Sequence, residues 1–399
     1  MSVKYNLIPT TSTQPPAPTS GGPDKGFRAG DVIQFVMNFP NEEMLRQSMR
    51  MNGKIQWWYI PSSGVVAAVP KEDRIWMNSN AGINGIIKNI VGYSNDRIVE
   101  SISEFARCVA LTQETSQHQI NLGVSAQSML ELQRFDNDSY DNTEEPDSKM
   151  LSFNGGSDDD LTELPFSTLV PMCFNKSNVN IRYSDVGMLK LEVTLQENTK
   201  TGFRGTLEGV QYFYTVTELE VRTMTQPEQP KREPLVLDVV QNCAVQTIQN
   251  KYSSLTFPVS QPFYSIVAGL VKTPNTNEDY MVEYDYLSSN ALAEKAELVE
   301  YKLNNIDSAL GPQFPLQHQA AEILYNYILA VHGDTDKPIP HHALSYAKLA
   351  KNKGYGLGCF FGELLPAMTT ASINVLLRED PDPALPYQVF IFALGKVKF

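Results

Sequence analysis

Residues 188–195 read Met-Leu-Lys-Leu-Glu-Val-Thr-Leu, with Leu189, Leu191, Val193 and Leu195 on one parity and Lys190, Glu192 and Thr194 on the other. Side chains of an extended chain point alternately to opposite faces, so this octet specifies a strand with one face buried and one solvated. Residues 211–224 alternate in the same way, but the apolar phase slips between Val216 and Leu219, which predicts a β-bulge at Thr217 and Glu218. Further strands are predicted at 30–39, 54–60, 235–240, 263–271 and 297–303. The final apolar run, Val389 to Leu394, is continuous, as in a strand covered on both faces, and then turns into Gly-Lys-Val-Lys-Phe.

Helices are fewer. Ala320, Ile323, Leu324, Tyr327, Ile328 and Val331 fall on one helical face that ends at Gly333. Ser101 and Glu104 have the spacing of a capping box, followed by an apolar stripe of Ile102, Phe105, Ala106 and Val109. A short helix is predicted from His342 to Lys351. Many strands with a few helices in the connections give an all-β fold class of sandwiches or barrels.

Proline and glycine punctuate this pattern. Residues 14–26 carry a Pro-, Gly- and Ser-rich run that supports neither helix nor ladder, so residues 1–26 read as a flexible N-terminal arm with order beginning near Phe27. Pro227, Pro230 and Pro234 sit among polar residues and mark a linker at 225–234. The expected division is therefore a first domain at 27–224 and a second at 235–399. Residues 136–163 hold ten acids and one base, Lys149, so nine of the chain's thirteen net negative charges lie there. That segment reads as a solvated acidic loop, because unpaired carboxylates are costly to bury.

Composition excludes several classes. The 399 residues are 42% hydrophobic and 19% charged, enough apolar material for packed cores. With 32 basic against 45 acidic side chains, the chain's own field would repel phosphates, which argues against a nucleic-acid packaging role. No apolar stretch has the length of a membrane span, and residues 1–25 lack the order of a signal peptide, so a soluble chain is expected. Cys108, Cys173, Cys243 and Cys359 are widely spaced and read as small buried hydrophobes.

The sequence carries no recognisable catalytic residue, metal ligand set or cofactor site. G-x-S-x-G and H-E-x-x-H are absent. Of the histidines, His118, His318, His332, His341 and His342, only the last two are adjacent, and they follow Pro338 and Pro340 as a helix start would. The glycines at 354, 356, 358 and 362 lack the strand-before, helix-after setting of a nucleotide loop and read as a strand or bend where backbones approach closely. Asp136, Asp138 and Asp141 open like a calcium loop, but Tyr140 replaces a ligand and Asp147 stands where the closing Glu belongs. Asn137 and Asn175 head glycosylation sequons that read as chance. Trp57 and Trp58 read as core or interface aromatics, the alternative being a sugar-stacking surface.

The order of the segments resembles the double jelly-roll major capsid proteins of icosahedral viruses, the lineage of tectivirus-like phages, virophages and adenoviruses. Residues 30–35 are similar to that family's opening strand, residues 95–105 to its strand, turn and helix, and residues 188–195 with 214–221 to the late strands that close the first roll. Residues 301–315 and the helix after them resemble a segment of the second roll, although Asn304, Asn305 and Ile306 stand where the family carries glycines and their neighbour. The resemblance spans residues 27–399. It implies two tandem jelly-roll β-sandwiches and a homotrimer whose six rolls form a pseudo-hexagonal capsomer in the virion. The implied partners are other copies of the chain, penton or minor capsid proteins and an internal membrane, with no sequence-specific nucleic acid and no cofactor. Two other classes fit the strand pattern: a glycan-acting hydrolase with paired carboxylates near Trp57 or Trp58, and a viral attachment or penton module.

Overall fold

The computed structural model describes residues 3–13, 26–60, 64, 66–69, 74–78, 82–113, 150–154, 164–170, 172–177, 179–198, 201, 203–205, 210–230, 234–272, 296–307, 311–313, 325–327, 329–331, 357–381, 383 and 386–399. The chain divides into two compact units. The first holds residues 1–106, 122–235 and 399, and the second holds 107–121 and 236–398.

In the first unit the strands are β1 (Lys4–Pro9), β2 (Val32–Met37), β3 (Glu42–Met44), β4 (Arg50–Ile60), β5 (Ala67–Ala68), β6 (Arg74–Asn78), β7 (Ile87–Ser94), β8 (Arg97–Ser103), β9 (Met150–Asn154), β10 (Leu164–Leu169), β11 (Ile181–Arg182), β12 (Leu189–Leu195), β13 (Phe203–Gly205) and β14 (Gln211–Pro227). One sheet runs β10-β4-β14-β3-β11, with β1 added to β14 and β5 to β4. Another runs β2-β12-β7-β8, and a small one is β13-β6-β9. In the second unit the strands are β15 (Val236–Ile248), β16 (Tyr252–Val259), β17 (Phe263–Lys272), β18 (Ala296–Leu303), β19 (Ile306–Asp307), β20 (Leu357–Leu365), β21 (Thr369–Leu377) and β22 (Tyr387–Lys398). They form one sheet ordered β15-β22-β17-β20 and one ordered β16-β21-β18-β19. All these pairings are antiparallel, as the alternating sequence pattern requires of sheets with one solvated face.

The octet 188–195 behaves as its alternation demands: Leu189, Leu191, Val193 and Leu195 are buried, and Lys190, Glu192 and Thr194 are half-buried on the other face. It pairs with β2 on one side and β7 on the other, so Ile33, Phe35 and Ile90 meet its apolar face. The bulge in β14 is also present. The β14–β4 register shifts between Thr217 and Glu220, and Glu218 takes a φ of 49°. Tyr214, buried between Trp57 and the chain turns at Ile86 and Gln196, donates its hydroxyl to the Gln196 carbonyl at 2.7 Å. In the second unit Leu255, Phe257 and Val259 of β16 join Ala371, Ile373 and Val375 of β21 in the core.

The turn at Asn304 and Asn305 joins β18 to β19 with φ values of 49° and 66°. Asparagine is the non-glycine residue that most readily enters the left-handed region, so this pair serves a turn of the kind glycines serve. Close approach explains Gly358, where a Cβ would lie 2.6 Å from the Ala330 Cβ and 2.9 Å from the Tyr327 backbone. Those two residues belong to a helical stretch, described at 325–327 and 329–331, in which Tyr327, Ala330 and Val331 are buried and Tyr325 is exposed.

Four expectations change. Residues 4–9, assigned to a flexible arm, form β1 in full six-residue register with β14. Ser101 is not a helix cap: Ser101 to Ser103 extend β8, paired with Val91, Ile90 and Asn89 of β7, and helix α1 (Phe105–Gln113) starts after Glu104 at φ 54°. The sheet ladder outcompetes the local cap because each strand residue gains a backbone partner. Thr225 to Pro227, placed in the linker, continue β14 and pair with β3. Within the acidic segment, Met150–Asn154 is a strand paired with β6, and the remainder of 136–163 lies outside the described residues. The predicted helix at 342–351, the five histidines, the calcium-like residues and Asn137 also lie outside them.

Candidate assembly surfaces

β1 and the residues that follow it tie together two sheet edges of the first unit. Lys4 to Pro9 pair with Glu220 to Thr225 on the side of β14 opposite β4 and β3. The chain then passes to β2, where the Thr11 N–H donates to the Gln34 carbonyl at 2.9 Å and the Gln34 N–H donates to the Ser12 hydroxyl at 3.0 Å. An uncovered strand edge is a template for association, and this strap covers the two edges in turn.

Its two faces differ. Ile8 is buried, Asn6 Nδ2 donates to Thr225 Oγ1 at 2.8 Å, and Lys4 pairs with Glu42. The Lys4 hydrogen bond, and then the one from Thr225, hold the Glu42 carboxyl below the usual carboxylate range. On the other parity Val3, Tyr5 and Leu7 are 44%, 64% and 61% exposed, an apolar row on solvent. In the second unit, the β18–β19 hairpin turn lies beside the start of β21, because the Asn304 N–H donates to the Thr370 carbonyl at 2.7 Å and the Thr370 N–H donates to Asn304 Oδ1 at 3.1 Å. There Ile306 and Met368, with Leu364 on the adjoining strand, are more than half exposed. Exposed apolar residues grouped at a sheet edge and at a turn are candidate contact surfaces.

Of the residues considered as catalytic or ligand-binding, the described ones are built into the fold. Trp57 and Trp58 are 2% and 8% exposed. Trp58 Nε1 donates to Thr215 Oγ1 at 3.0 Å and its ring stacks on Phe213 at 6.4 Å, so neither indole offers a sugar platform. Asn175, the head of a sequon, is buried and exchanges hydrogen bonds with the Met49 backbone at 2.8 and 3.0 Å, so its amide nitrogen cannot accept a glycan in the folded chain. All four cysteines are free; Cys108, Cys173 and Cys359 are buried, whereas Cys243 is half-buried, with burial pushing its thiol up to about 12. Among the described residues no group of three or more His, Cys, Asp or Glu is placed to hold a metal ion, and no helix is long and apolar enough to cross a membrane.

Sequence reasoning missed β1. Its signal is the alternation of Val3, Tyr5 and Leu7, but those apolar residues face solvent and the stretch adjoins a Thr-, Pro- and Ser-rich run, so burial could not be read from them.

No protein-family model and no curated protein sequence matches the chain. Solved structures do. The Faustovirus major capsid protein is similar over 100% of this chain and 90% of its own, at a TM-score of 0.60 and 10% identity. The Sputnik virophage structure determined by cryo-EM is similar over 99% and 85%, at 0.55 and 11%, and the mavirus major capsid protein over 98% and 86%, at 0.51 and 11%. The chain has the double jelly-roll fold of viral major capsid proteins, two tandem β-sandwiches with few helices.

Proposed function

We propose that this chain is the major capsid protein of an icosahedral virus, a structural tile without catalytic activity. Three copies form a pseudo-hexagonal capsomer, and capsomers tile the shell of the virion together with penton or minor capsid proteins. The observation that carries the reading is the pairing of two sandwiches in one chain, similar in fold to viral major capsid proteins along essentially its whole length. A tandem pair of rolls supplies two wedges per copy, so threefold repetition closes a six-sided outline. The strap over the first unit's edges and the apolar turn tips of the second supply surfaces for such contacts.

Light scattering of the purified protein should give about 134 kDa, three times the 44.6 kDa chain, and electron microscopy should show hexagonal particles. A protein that stays a monomer at micromolar concentration overturns the proposal.

A further inference from the structure

Tyr5 and Leu7 turn their backbone polar groups away from the sheet that holds β1. The evidence for this lies in β14, where Met224 faces the opposite side: its carbonyl accepts from the Leu45 N–H at 2.8 Å and its N–H donates to Ser48 Oγ at 3.2 Å. Both backbone groups of a strand residue point to one side, and successive residues alternate. Val221, Thr223 and Thr225 therefore bond β1, through their register partners Ile8, Asn6 and Lys4. The residues between them, Tyr5 and Leu7, present N–H and C=O groups on the far edge, and among the described residues no strand but β14 pairs with β1. Pro9 falls on the same outward parity, where a strand tolerates a residue without an N–H.

This edge lacks the usual guards. Native edges are blunted by charge, by proline or by a bulge. Lys4, the one charged residue of β1, lies on the other face and pairs with Glu42, Pro9 stands only at the end, and the β1–β14 register runs six residues without a shift. Val3, Tyr5 and Leu7 set an exposed apolar row beside the free backbone groups. A partner for such an edge must be extended, apolar at alternate positions and without a charge opposite Lys4 of like sign. β1 itself meets all three conditions.

We propose that this edge pairs with β1 of a second copy, antiparallel about a twofold axis through Tyr5. In that register Tyr5 opposes the second copy's Tyr5 and Val3 opposes its Leu7, so every outward residue meets an outward residue and one face is apolar throughout, while Lys4 stands opposite Asn6. Centring on Lys4 would oppose two like charges, and centring on Asn6 would set Val3 against Pro9, which has no N–H to give. The pairing goes beyond the capsid reading and does not require it; in a shell it joins capsomers at a twofold contact. Three outward residues per copy make a weak joint, with a Kd of about 1 mM, so the trimer mass expected at micromolar concentration is unaffected.

Cysteine capture on the full chain tests the register. Tyr5→Cys places two thiols on a hydrogen-bonded pair with Cα atoms about 5.5 Å apart, within disulfide reach. Mild oxidation at about 0.5 mM chain, where such a joint is partly filled, should give a non-reducing band at twice the 44.6 kDa chain mass that the unsubstituted chain lacks. Leu7→Cys sets the two thiols four residues out of step, about 13 Å along the strand, and should link about tenfold less. Mixing it with a Val3→Cys chain should restore the band. Leu7→Pro in the Tyr5→Cys chain removes one outward N–H per copy and spares the bonds of Lys4, Asn6 and Ile8 to β14. It should lower linking about tenfold while amides 4, 6 and 8 stay protected from exchange. Should that variant unseat β1, Leu7→Lys keeps the N–H and charges the apolar row, with the same expectation. Linking at Tyr5→Cys no stronger than at Tyr252→Cys, an exposed position of the second unit, overturns the proposal. So does equal linking at Leu7→Cys, or an edge variant with β1 seated that links as well as its parent. Light scattering of the Leu7→Pro chain reads the trimer separately, so failure of the joint and failure of the capsid reading give different results.

Discussion

The two ends of the chain are both strands, and they are held in opposite ways. β22, at the C-terminus, lies between β15 and β17, and Val389 to Gly395 are buried without interruption. β1, at the N-terminus, has one hydrogen-bonded neighbour and a single buried side chain, Ile8. A central strand combines two ladders with burial on both faces, whereas an edge strand has one ladder and half a face. The terminal position of a strand therefore says little about its energetic weight; its number of neighbours decides.

Breaking β22 should have the largest effect. Phe392 is 1% exposed, and Phe392→Ala should destabilise the second unit by about 3–5 kcal/mol, read from urea unfolding. Next is Gly395, where an added Cβ would stand 2.0 Å from the Pro262 carbonyl oxygen and 3.1 Å from the Phe263 backbone. Because backbone cannot rotate away, Gly395→Ala should cost about 1–3 kcal/mol by overpacking, measured in the same way. A neutral result there would mean that β22 and the Pro262 turn separate readily, and would narrow the contrast with β1.

At the other end, Ile8→Ala should cost about 2 kcal/mol, toward the low end of buried aliphatic truncations because the site is at a sheet edge. Its clearest readout is faster hydrogen exchange at the amides of 4–9 with the second unit's exchange unchanged. The smallest effect concerns Glu42. A carboxyl whose folded pKa is depressed adds stability above its unfolded pKa and loses it as pH falls through the folded value. Acidification from pH 7 to about pH 3 should therefore loosen β1 before the core, in the usual range of carboxylate titration. Lys4 is mostly exposed, so screening keeps the effect small, and Glu42→Gln should abolish the pH dependence of the protection of amides 4–9, taken relative to their intrinsic exchange rates. Protection at β1 that is independent of pH in the parent protein would remove the Lys4–Glu42 pair from the account.

Much of this architecture was written in local pattern. Alternation at 188–195, the phase slip at Thr217 and Glu218 and the continuous run at 389–394 each determine a structural feature by themselves, because side-chain parity and burial are properties of a few consecutive residues. The same locality separated a chain of strands from one of helices. Tertiary structure decided the rest. Whether Tyr5 and Leu7 face a core or solvent depends on β14 lying beside them, where their partners are Met224 and Arg222. Whether Ser101 caps a helix or extends a strand depends on β7. Arg50 and Arg222 become cross-strand neighbours only because antiparallel register sets them opposite each other. Pairing partners distant in sequence leave no periodic trace in either segment, so the register that joins them exists only in the folded chain.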